Sequence, residues 1–153
     1  MKAKTRLFGD IEIEDEKIIK FEQGIVGFPD LKHFALIFDA EKGEDAKIKW
    51  LQSMDEPTFA MPVMDPYRMA PEYRPSVNEE TWQTLGEPTE SNTFVLVTVT
   101  VPTDITLISL NLKAPIIINM DTNKACQVIV EDDYPVKYKI YDKIKDGKKK
   151  EGE

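Results

Sequence analysis

The chain has 153 residues, and its 28 acidic against 20 basic side chains give a formal net charge of −8. This length suits one domain with a sizeable core, and the negative charge argues against a protein that binds nucleic acid. The single cysteine, Cys126, has no partner for an internal disulfide, and there is neither an apolar run of about 18 residues nor a signal-peptide pattern. We therefore expect a cytoplasmic protein without a membrane segment.

The N-terminal part contains three short stretches in which side chains alternate: residues 4–8, 11–14 and 17–21. This alternation predicts a meander of edge strands. Gly24 and Gly27 follow, and their spacing predicts tight turns while Ile25 and Phe28 enter the core. A phosphate-binding loop is the alternative, but no helix start with Lys or Ser/Thr follows, as that chemistry requires. We favour the structural interpretation.

Residues 34–38 and 48–53 have the composition of strands, joined by a charged turn at residues 39–47. Residues 54–75 then carry five prolines and four methionines. This composition predicts a loop-rich segment that either packs over a barrel mouth or meets a partner. Methionine surfaces adapt to varied partners, but methionines also fill core gaps. We favour the core for all four: Met54, Met61, Met64 and Met69.

One helix is predicted at residues 78–85. Residues 76–79 fit a capping box, and Gly86 stands where such a helix would end. Three apolar side chains would face the body of the protein: Val77, Trp82 and Leu85. We therefore expect Trp82 to anchor the helix rather than to bind a partner.

Residues 93–119 are β-branched and apolar almost throughout, and we expect them to form the heart of a sheet. In the first strand, residues 94–101, the core face is predicted to carry four valines: Val95, Val97, Val99 and Val101. Thr98 and Thr100 point the other way. One face of this strand should therefore be core.

A turn at residues 102–104 predicts that residues 105–112 return as the second strand of a hairpin. Its core face is expected to carry Ile108, Leu110 and Leu112. Pro115 cannot donate to a sheet ladder, so it should mark a bend or an edge before a third strand at residues 116–118.

Further strands are predicted at residues 124–130 and 136–140. The chain end, residues 143–153, is polar and rich in lysine, and we expect a disordered tail after a domain at residues 1–142. These elements together predict a mainly β protein, a single antiparallel β-barrel-like domain with one short helix.

His33 is the only histidine, so the sequence offers neither a paired metal site nor a base for a serine or cysteine nucleophile. The remaining catalytic candidates are carboxylates: Asp55 with Glu56, Asp65, and Asp132 with Asp133. Adjacent acids in turns usually cap backbone amides or face solvent. We therefore expect a protein-binding module without a cofactor, and a small carboxylate-dependent enzyme is the alternative.

Four motifs occur in order along the chain: Phe21 with Gly24, Gly27 and Phe28; WLQSMDEP at residues 50–57; NLKAPIIIN at residues 111–119; and Gln127 with Tyr134-Pro135. Together they resemble the FliW family of flagellar assembly factors over residues 8–134. A second interpretation applies to Trp50, Leu51 and the NLKAP bend, because the fold itself can require these residues.

The resemblance implies a bacterial cytoplasmic protein that binds flagellin and, in exchange, the RNA-binding translational repressor CsrA. Once flagellin is exported, the released factor captures CsrA and permits new flagellin synthesis. Secretion is thus coupled to translation, and the factor itself contacts neither nucleic acid nor membrane.

The candidate partner-binding residues are inferred from residue type and charge. We expect the C-terminal amphipathic helix of flagellin to dock in an apolar groove. The rim residues are expected to be Met64, Tyr67 and Tyr73, with Asp65 beside them. For CsrA, we expect the field of surface acids to oppose RNA. Those acids are expected to be Glu56, Asp132 and Asp133.

Overall fold

The computed structural model describes residues 1–37, 48–86, 89 and 91–144. In this part of the chain the strands are β1 (Lys2–Thr5), β2 (Gly9–Glu12), β3 (Ile19–Phe21), β4 (His33–Ile37), β5 (Lys49–Ser53), β6 (Ala60–Met64), β7 (Thr93–Thr100), β8 (Ser109–Leu110), β9 (Ile116–Asn119), β10 (Lys124–Gln127) and β11 (Tyr138–Lys139). The α-helix is α1 (Glu79–Thr84), and residues 141–144 form a further helical turn. The predicted turn at residues 39–47 lies outside the described residues.

The sheet closes on β7. One edge of β7 pairs with β6, and the other edge pairs first with β9 and then, at Val99 and Thr100, with β8. The order β7-β6-β5-β4-β3-β10-β9 therefore returns to β7 and forms a closed barrel of seven strands. Among the described strands, neighbours are antiparallel except β3 and β10, which are parallel. The predicted mainly β, barrel-like fold is confirmed, with this parallel pair as the exception to its antiparallel order.

Every second residue along the strands points its side chain inward, and these side chains fill the barrel interior. The buried members of this inner cluster are Ile19, Phe21, Ile25, Phe34, Leu51, Val63, Leu96, Ile116, Ile118 and Ala125. Phe21 and Phe34 are fully buried, and their rings meet edge to face with centroids 5.1 Å apart. Several residues of the family-like motifs thus serve as core.

Both faces of β7 are buried in the middle of the strand, so the expectation of a single core face is incomplete. Leu96 packs in the inner cluster, whereas Val97 and Val99 pack outside the barrel. The buried members of this outer cluster are Met64, Met69, Tyr73, Val97, Val99, Ile108, Leu110, Leu112 and Ile140. Val101 lies beyond this cluster and is 52% exposed, so its predicted burial is wrong.

The β1–β2 hairpin forms a separate two-stranded sheet outside the barrel. Ala3 of this hairpin packs in a third cluster with Ala35 and Met54. In contrast, β3 pairs with β4 on one side and β10 on the other, so the predicted edge meander is wrong for β3. A 3-10 helix, Asp15–Lys17, precedes β3 and includes Lys17, the first residue of the strand predicted at residues 17–21.

The predicted loop-rich segment, residues 54–75, contains β6. Proline obscures the strand pattern there, because Pro62 lies within β6 opposite Trp50. The methionines of this segment are core residues as predicted: Met54, Met64 and Met69 are buried, and Met61 packs against the inner cluster.

The predicted return strand, residues 105–112, is shortened to β8. Ile105–Leu107 instead form a 3-10 helix, because Oδ1 of Asp104 accepts a hydrogen bond from the Thr106 N–H at 3.1 Å. The predicted core face of this segment is nevertheless buried, at Ile108, Leu110 and Leu112. Pro115 stands at the bend directly before β9.

The turn after β3 has the tight geometry predicted from its glycines. Gly24 and Gly27 have φ of 70° and 85°, and a Cβ on Gly24 would come within 2.5 Å of the Phe28 carbonyl oxygen, so only glycine fits there. Ile25 is buried as predicted. Phe28 is 47% exposed and packs on Phe59, so its predicted entry into the core is wrong.

Helix α1 confirms the predicted helix, but the capping residue differs. Asn78 rather than Ser76 is the N-cap, and its side chain accepts a hydrogen bond from the Thr81 N–H at 2.8 Å. Gly86, with φ 89°, follows the helix as expected. The predicted inward residues differ in depth: Leu85 is buried, whereas Val77 and Trp82 are half-buried.

The helical turn at residues 141–144 overlaps the start of the predicted tail. Ile144 packs against the outer cluster, and Nζ of Lys143 donates to the Met69 carbonyl at 2.8 Å. Residues 145–153 lie outside the described residues, so the predicted domain boundary at residue 142 stays a prediction. Among the described residues, no helix has the length and apolar character needed to cross a membrane.

Candidate functional site

The motif at residues 50–57 forms most of β5 and the start of the turn toward β6. We call the region from residue 50 to residue 59 the β5–β6 corner. Gln52 is fully buried there, and its Nε2 donates to the carbonyl oxygens of Ser53, Pro57 and Phe59 at 2.8, 3.0 and 3.1 Å. The two N–H bonds of one uncharged amide are therefore shared among three carbonyl groups of a single turn, while the buried Oε1 of Gln52 has no hydrogen-bond partner among the described residues. This geometry explains a glutamine in the motif without reference to a partner.

Ser53 and Asp55 order the same corner. Oγ of Ser53 accepts from the Glu56 N–H at 2.9 Å, while Oδ2 of Asp55 accepts from the N–H groups of Lys32 and His33 at 2.7 and 2.8 Å. Burial acts to raise the pKa of Asp55, but the hydrogen bonds from His33 and Lys32 outweigh burial and lower that pKa. Asp55 is thus an ionised carboxylate that ties the corner to the start of β4.

A second region, which we call the tyrosine surface, comprises residues 65–76 together with Asp132 and Tyr134. The Tyr73 ring contacts the rings of Tyr67 and Tyr134, with centroids 6.1 and 4.7 Å apart. The Tyr73 hydroxyl donates to the Leu112 carbonyl at 2.6 Å, which fixes this ring in the outer cluster. Tyr67 is 40% exposed above it.

Two carboxylates hold the loops of the tyrosine surface. Oδ1 of Asp65 accepts from the Tyr67 N–H at 2.8 Å, and Asp132 accepts from the N–H and hydroxyl of Ser76 at 2.9 and 3.0 Å. The bonds from Ser76 lower the pKa of Asp132. Burial and the nearby charge of Asp65 raise the pKa of Tyr67, so its hydroxyl is neutral at physiological pH.

The predicted site residues fall into separate places. The tyrosine surface brings together Asp65, Tyr67, Tyr73 and Asp132. Glu56 lies in the β5–β6 corner, and the length of β6 places the corner on the order of 16 Å from Asp65. Asp133 is exposed beside Asp132. The expected acids therefore do not form one cluster.

Met64 and Tyr73 are each only 2% exposed, which corrects their expected position at the rim of a groove. Both side chains lie in the outer cluster, because Met64 faces Val97 across the β6–β7 pair and Tyr73 is bonded to Leu112. Of the three expected rim residues, Tyr67 is the one that solvent reaches. The part these residues take in binding stays a prediction.

The carboxylates have the geometry of loop caps. Asp55, Asp65 and Asp132 each accept backbone N–H groups, and the lowered pKa of Asp55 and Asp132 is the opposite of what a general acid near neutral pH requires. Burial raises the pKa of Cys126 to about 11, which disfavours a reactive thiolate. Within the described ranges, no three His, Cys, Asp or Glu side chains are placed to hold a metal ion.

Tyr134 and Ser76 are part of the tyrosine surface, but the sequence reasoning gave neither a site role. The Tyr134 hydroxyl accepts from the Arg74 N–H at 3.0 Å, and Ser76 anchors Asp132. Tyr134-Pro135 was a signal for this contact, because it belongs to the motifs on which the family resemblance depends. Ser76 offered no such signal.

The fold and these two regions define a small closed β-barrel whose polar side chains mainly order its loops. The family model described as FliW protein matches residues 2–140. The chain belongs to the FliW family of flagellar assembly factors, which confirms the resemblance.

Individual relatives agree with this assignment. A flagellar assembly factor FliW from Lachnospira eligens is 47% identical over 147 residues, which cover 95% of this chain and 97% of that protein. Another, from Lachnoclostridium phytofermentans, is 43% identical over 152 residues, covering 99% and 97%. A solved structure described as the crystal structure of the flagellar assembly factor FliW matches with a TM-score of 0.84 at 30% identity, covering 92% of this chain and 97% of that one.

Proposed function

We propose that this protein binds flagellin and, when free of it, binds and antagonises CsrA, so that flagellin secretion is coupled to flagellin translation. The observation that carries the proposal is family membership across residues 2–140, with relatives named as flagellar assembly factors. In this proposal the protein works in the cytoplasm and forms complexes without catalysing a reaction.

The tyrosine surface is the proposed flagellin site, and the proposed ligand is the C-terminal amphipathic helix of flagellin, bound with its apolar side inward. Tyr67 supports this because it is an exposed aromatic side chain on an ordered support: its N–H is bonded to Asp65, and its ring contacts the buried Tyr73. A ring that is already ordered loses little conformational entropy on binding.

Tyr67→Ala is expected to weaken the binding of purified flagellin monomers by about tenfold, because tyrosines that become buried when a complex forms are frequent hot spots of interfaces. Calorimetric titration measures the affinity. Phe28→Ala is the matched control, since Phe28 is a comparably exposed aromatic residue near the β5–β6 corner. A folded Tyr67→Ala variant that binds flagellin at full strength removes Tyr67 from the site, and wild-type protein that does not bind flagellin sinks the proposal.

For CsrA we propose that surface acids oppose RNA through their field, supported by the net charge of −8. The acids differ in their surroundings: Glu56 accepts from the Thr58 hydroxyl and Asp132 from Ser76, whereas Asp133 is exposed. Asp133→Asn is therefore the cleanest neutralisation, because it breaks no hydrogen bond among the described residues.

The test titrates RNA against free CsrA and against the preformed complex across a salt series. We expect non-competitive inhibition that Glu56→Gln, Asp132→Asn and Asp133→Asn weaken more than they weaken complex formation. Salt should have the same effect, since the Debye length falls from about 10 Å at 0.1 M to about 3 Å at 1 M. Competitive displacement of this protein by RNA would instead show direct occlusion of the RNA site.

A further inference from the structure

A groove runs between α1 and the chain that continues β10. One wall is formed by residues 76–78 and Thr81, and the other by residues 128–131, which enclose about 540 Å³. The groove continues along β10 past Cys126, where Glu80 also lines it. The groove shares Ser76 with the tyrosine surface and Gln127 with the family motifs, but Tyr67 does not line it. The proposed function assigns no role to the wall at residues 128–131.

The wall at residues 128–131 is an unpaired strand edge. The N–H groups of Val128 and Val130 donate to the carbonyls of Pro115 and Lys113 at 3.1 and 2.9 Å, so this segment extends the pairing of β10. Alternate residues of an extended strand direct their backbone groups to opposite sides. The N–H and C=O of Ile129 therefore face away from that pairing, and within the described residues they have no hydrogen-bond partner.

Side chains at this edge combine apolar surface with negative charge. Ile129 is 64% exposed, which is the largest exposure among the large apolar side chains of the described residues. Glu22, Glu80 and Glu131 line the groove against a single base, Lys124, whose Nζ lies 3.8 Å from Glu22. The groove therefore carries two acids that Lys124 does not balance.

We propose that this groove binds an extended, basic segment of a partner protein, which adds as a strand to the edge at Ile129. Unpaired backbone groups require a partner with free backbone groups of its own, and an extended segment has them whereas a helix does not. The excess of acids selects lysine or arginine in that segment. A second copy of this chain fits poorly, because its net charge is also −8. The proposal is independent of flagellin binding, which uses a helix.

The probe is an acetylated decapeptide that alternates lysine and valine, with a glutamate–valine peptide as its charge control. Binding is followed through the backbone amide signals of the isotope-labelled full chain at about 0.15 M salt, where distant charges are largely screened. We expect saturation below about 1 mM lysine–valine peptide, with shifts at residues 76–81 and 127–131, and at least about tenfold weaker binding of the glutamate peptide.

Two substitutions of Ile129 separate the backbone from the side chain. Ile129→Pro removes an N–H that has no internal partner, so the fold should tolerate it, whereas Ile129→Ala keeps that N–H. We expect Ile129→Pro to bind the lysine–valine peptide at least about fivefold more weakly than Ile129→Ala. If the proline variant does not fold, the wild-type protein is tested with a lysine–valine peptide that is N-methylated at alternate residues. This peptide lacks the backbone N–H groups needed to pair with the edge, so we expect it not to bind.

Several results would overturn the proposal. They are absence of saturable binding, equal binding of the glutamate peptide, shifts confined to other parts of the chain, and equal binding by the two Ile129 variants. Flagellin affinity measured on the same variants keeps the two proposals apart. Tyr67→Ala should leave peptide binding unchanged, and Ile129→Pro should leave flagellin binding unchanged.

Discussion

The β5–β6 corner and the tyrosine surface lie at opposite ends of β6, and they differ in what they leave exposed. In the corner, Gln52 and Ser53 are fully buried, and their side chains form hydrogen bonds with backbone groups of the turn itself. In the tyrosine surface, Asp65 and Tyr73 order the loop, but the Tyr67 ring remains accessible. The motif at residues 50–57 therefore builds the barrel, whereas a surface available to a partner lies at the other end of β6.

The largest expected effect tests whether the corner is as structural as its contacts indicate. Gln52→Ala removes a fully buried amide whose N–H groups reach three carbonyls of one turn, although the Phe59 and Pro57 carbonyls keep backbone donors in Ser53 and Arg6. With the cavity that it leaves, we expect a loss of about 3 kcal/mol in the free energy of unfolding. Urea unfolding followed by tryptophan fluorescence measures it. Gln83→Ala, at an exposed glutamine of α1, is the matched control and should change stability by less than about 0.5 kcal/mol. Similar losses in both variants would refute a structural role for Gln52.

The second prediction concerns the cover over β7 beneath the tyrosine surface. Val97 is fully buried in the outer cluster, so Val97→Ala should cost about 2 kcal/mol, although its side chain lies outside the barrel. Thr98→Ala, at the next and only half-buried position, should cost less than about 1 kcal/mol. Denaturant unfolding compares the two variants. A Val97→Ala variant as stable as the wild type would mean that the outer cluster is loosely packed in solution.

Strand β7 also shows how far sequence reasoning reaches into the fold. The alternation of valines identified a buried face, and the three apolar residues from Ile108 to Leu112 were correctly placed in a core. Period-two alternation cannot tell which buried face is the barrel interior, because Leu96 and Val97 are both apolar and both faces are covered by segments far away in sequence. The 3-10 helix at Ile105–Leu107 was missed because its cause is one capping side chain, Asp104.

The candidate site was harder to predict because one residue type serves two purposes. Acids that cap loops, such as Asp55 and Asp132, look in sequence like acids that face a partner, such as Asp133. Of Tyr67 and Tyr73, only the exposed Tyr67 is available to a partner, and no local sequence pattern distinguishes these two tyrosines. The burial of Tyr73 depends on Leu112, which is 39 residues away along the chain.

The third prediction sharpens this difference within the tyrosine surface itself. Tyr73→Phe removes the buried hydroxyl that donates to the Leu112 carbonyl, and we expect a loss of about 1.5 kcal/mol in unfolding free energy. Tyr67→Phe removes a hydroxyl without a hydrogen-bond partner among the described residues, so it should change stability by less than about 0.5 kcal/mol. Parallel thermal unfolding of the two variants checks the order. Equal losses would contradict the assignment of Tyr73 as support and Tyr67 as surface.

The smallest expected effect returns to the corner and concerns pH. The folded state holds the pKa of Asp55 below its ordinary value of 3.8, so the unfolded chain binds the proton first as the pH falls. The stability that the Asp55 carboxylate contributes is therefore complete above that ordinary value and is lost as the pH falls through the folded pKa. Asp55→Asn keeps one oxygen to accept from Lys32 and His33, so we expect a loss of only about 1 kcal/mol at neutral pH.

A protonated Asp55 resembles asparagine, so the wild-type protein and Asp55→Asn should converge in stability as the pH falls below the ordinary value of 3.8. Urea unfolding of both proteins between neutral pH and about pH 2.5 measures the difference, and comparing the pair cancels acid effects that arise elsewhere in the chain. Asp30→Asn, at an exposed acid before β4, is the control and should follow the wild type across the range. A gap between wild type and Asp55→Asn that stays as wide below the ordinary value of 3.8 as it is above that value would show that the carboxylate is not what ties the β5–β6 corner to β4.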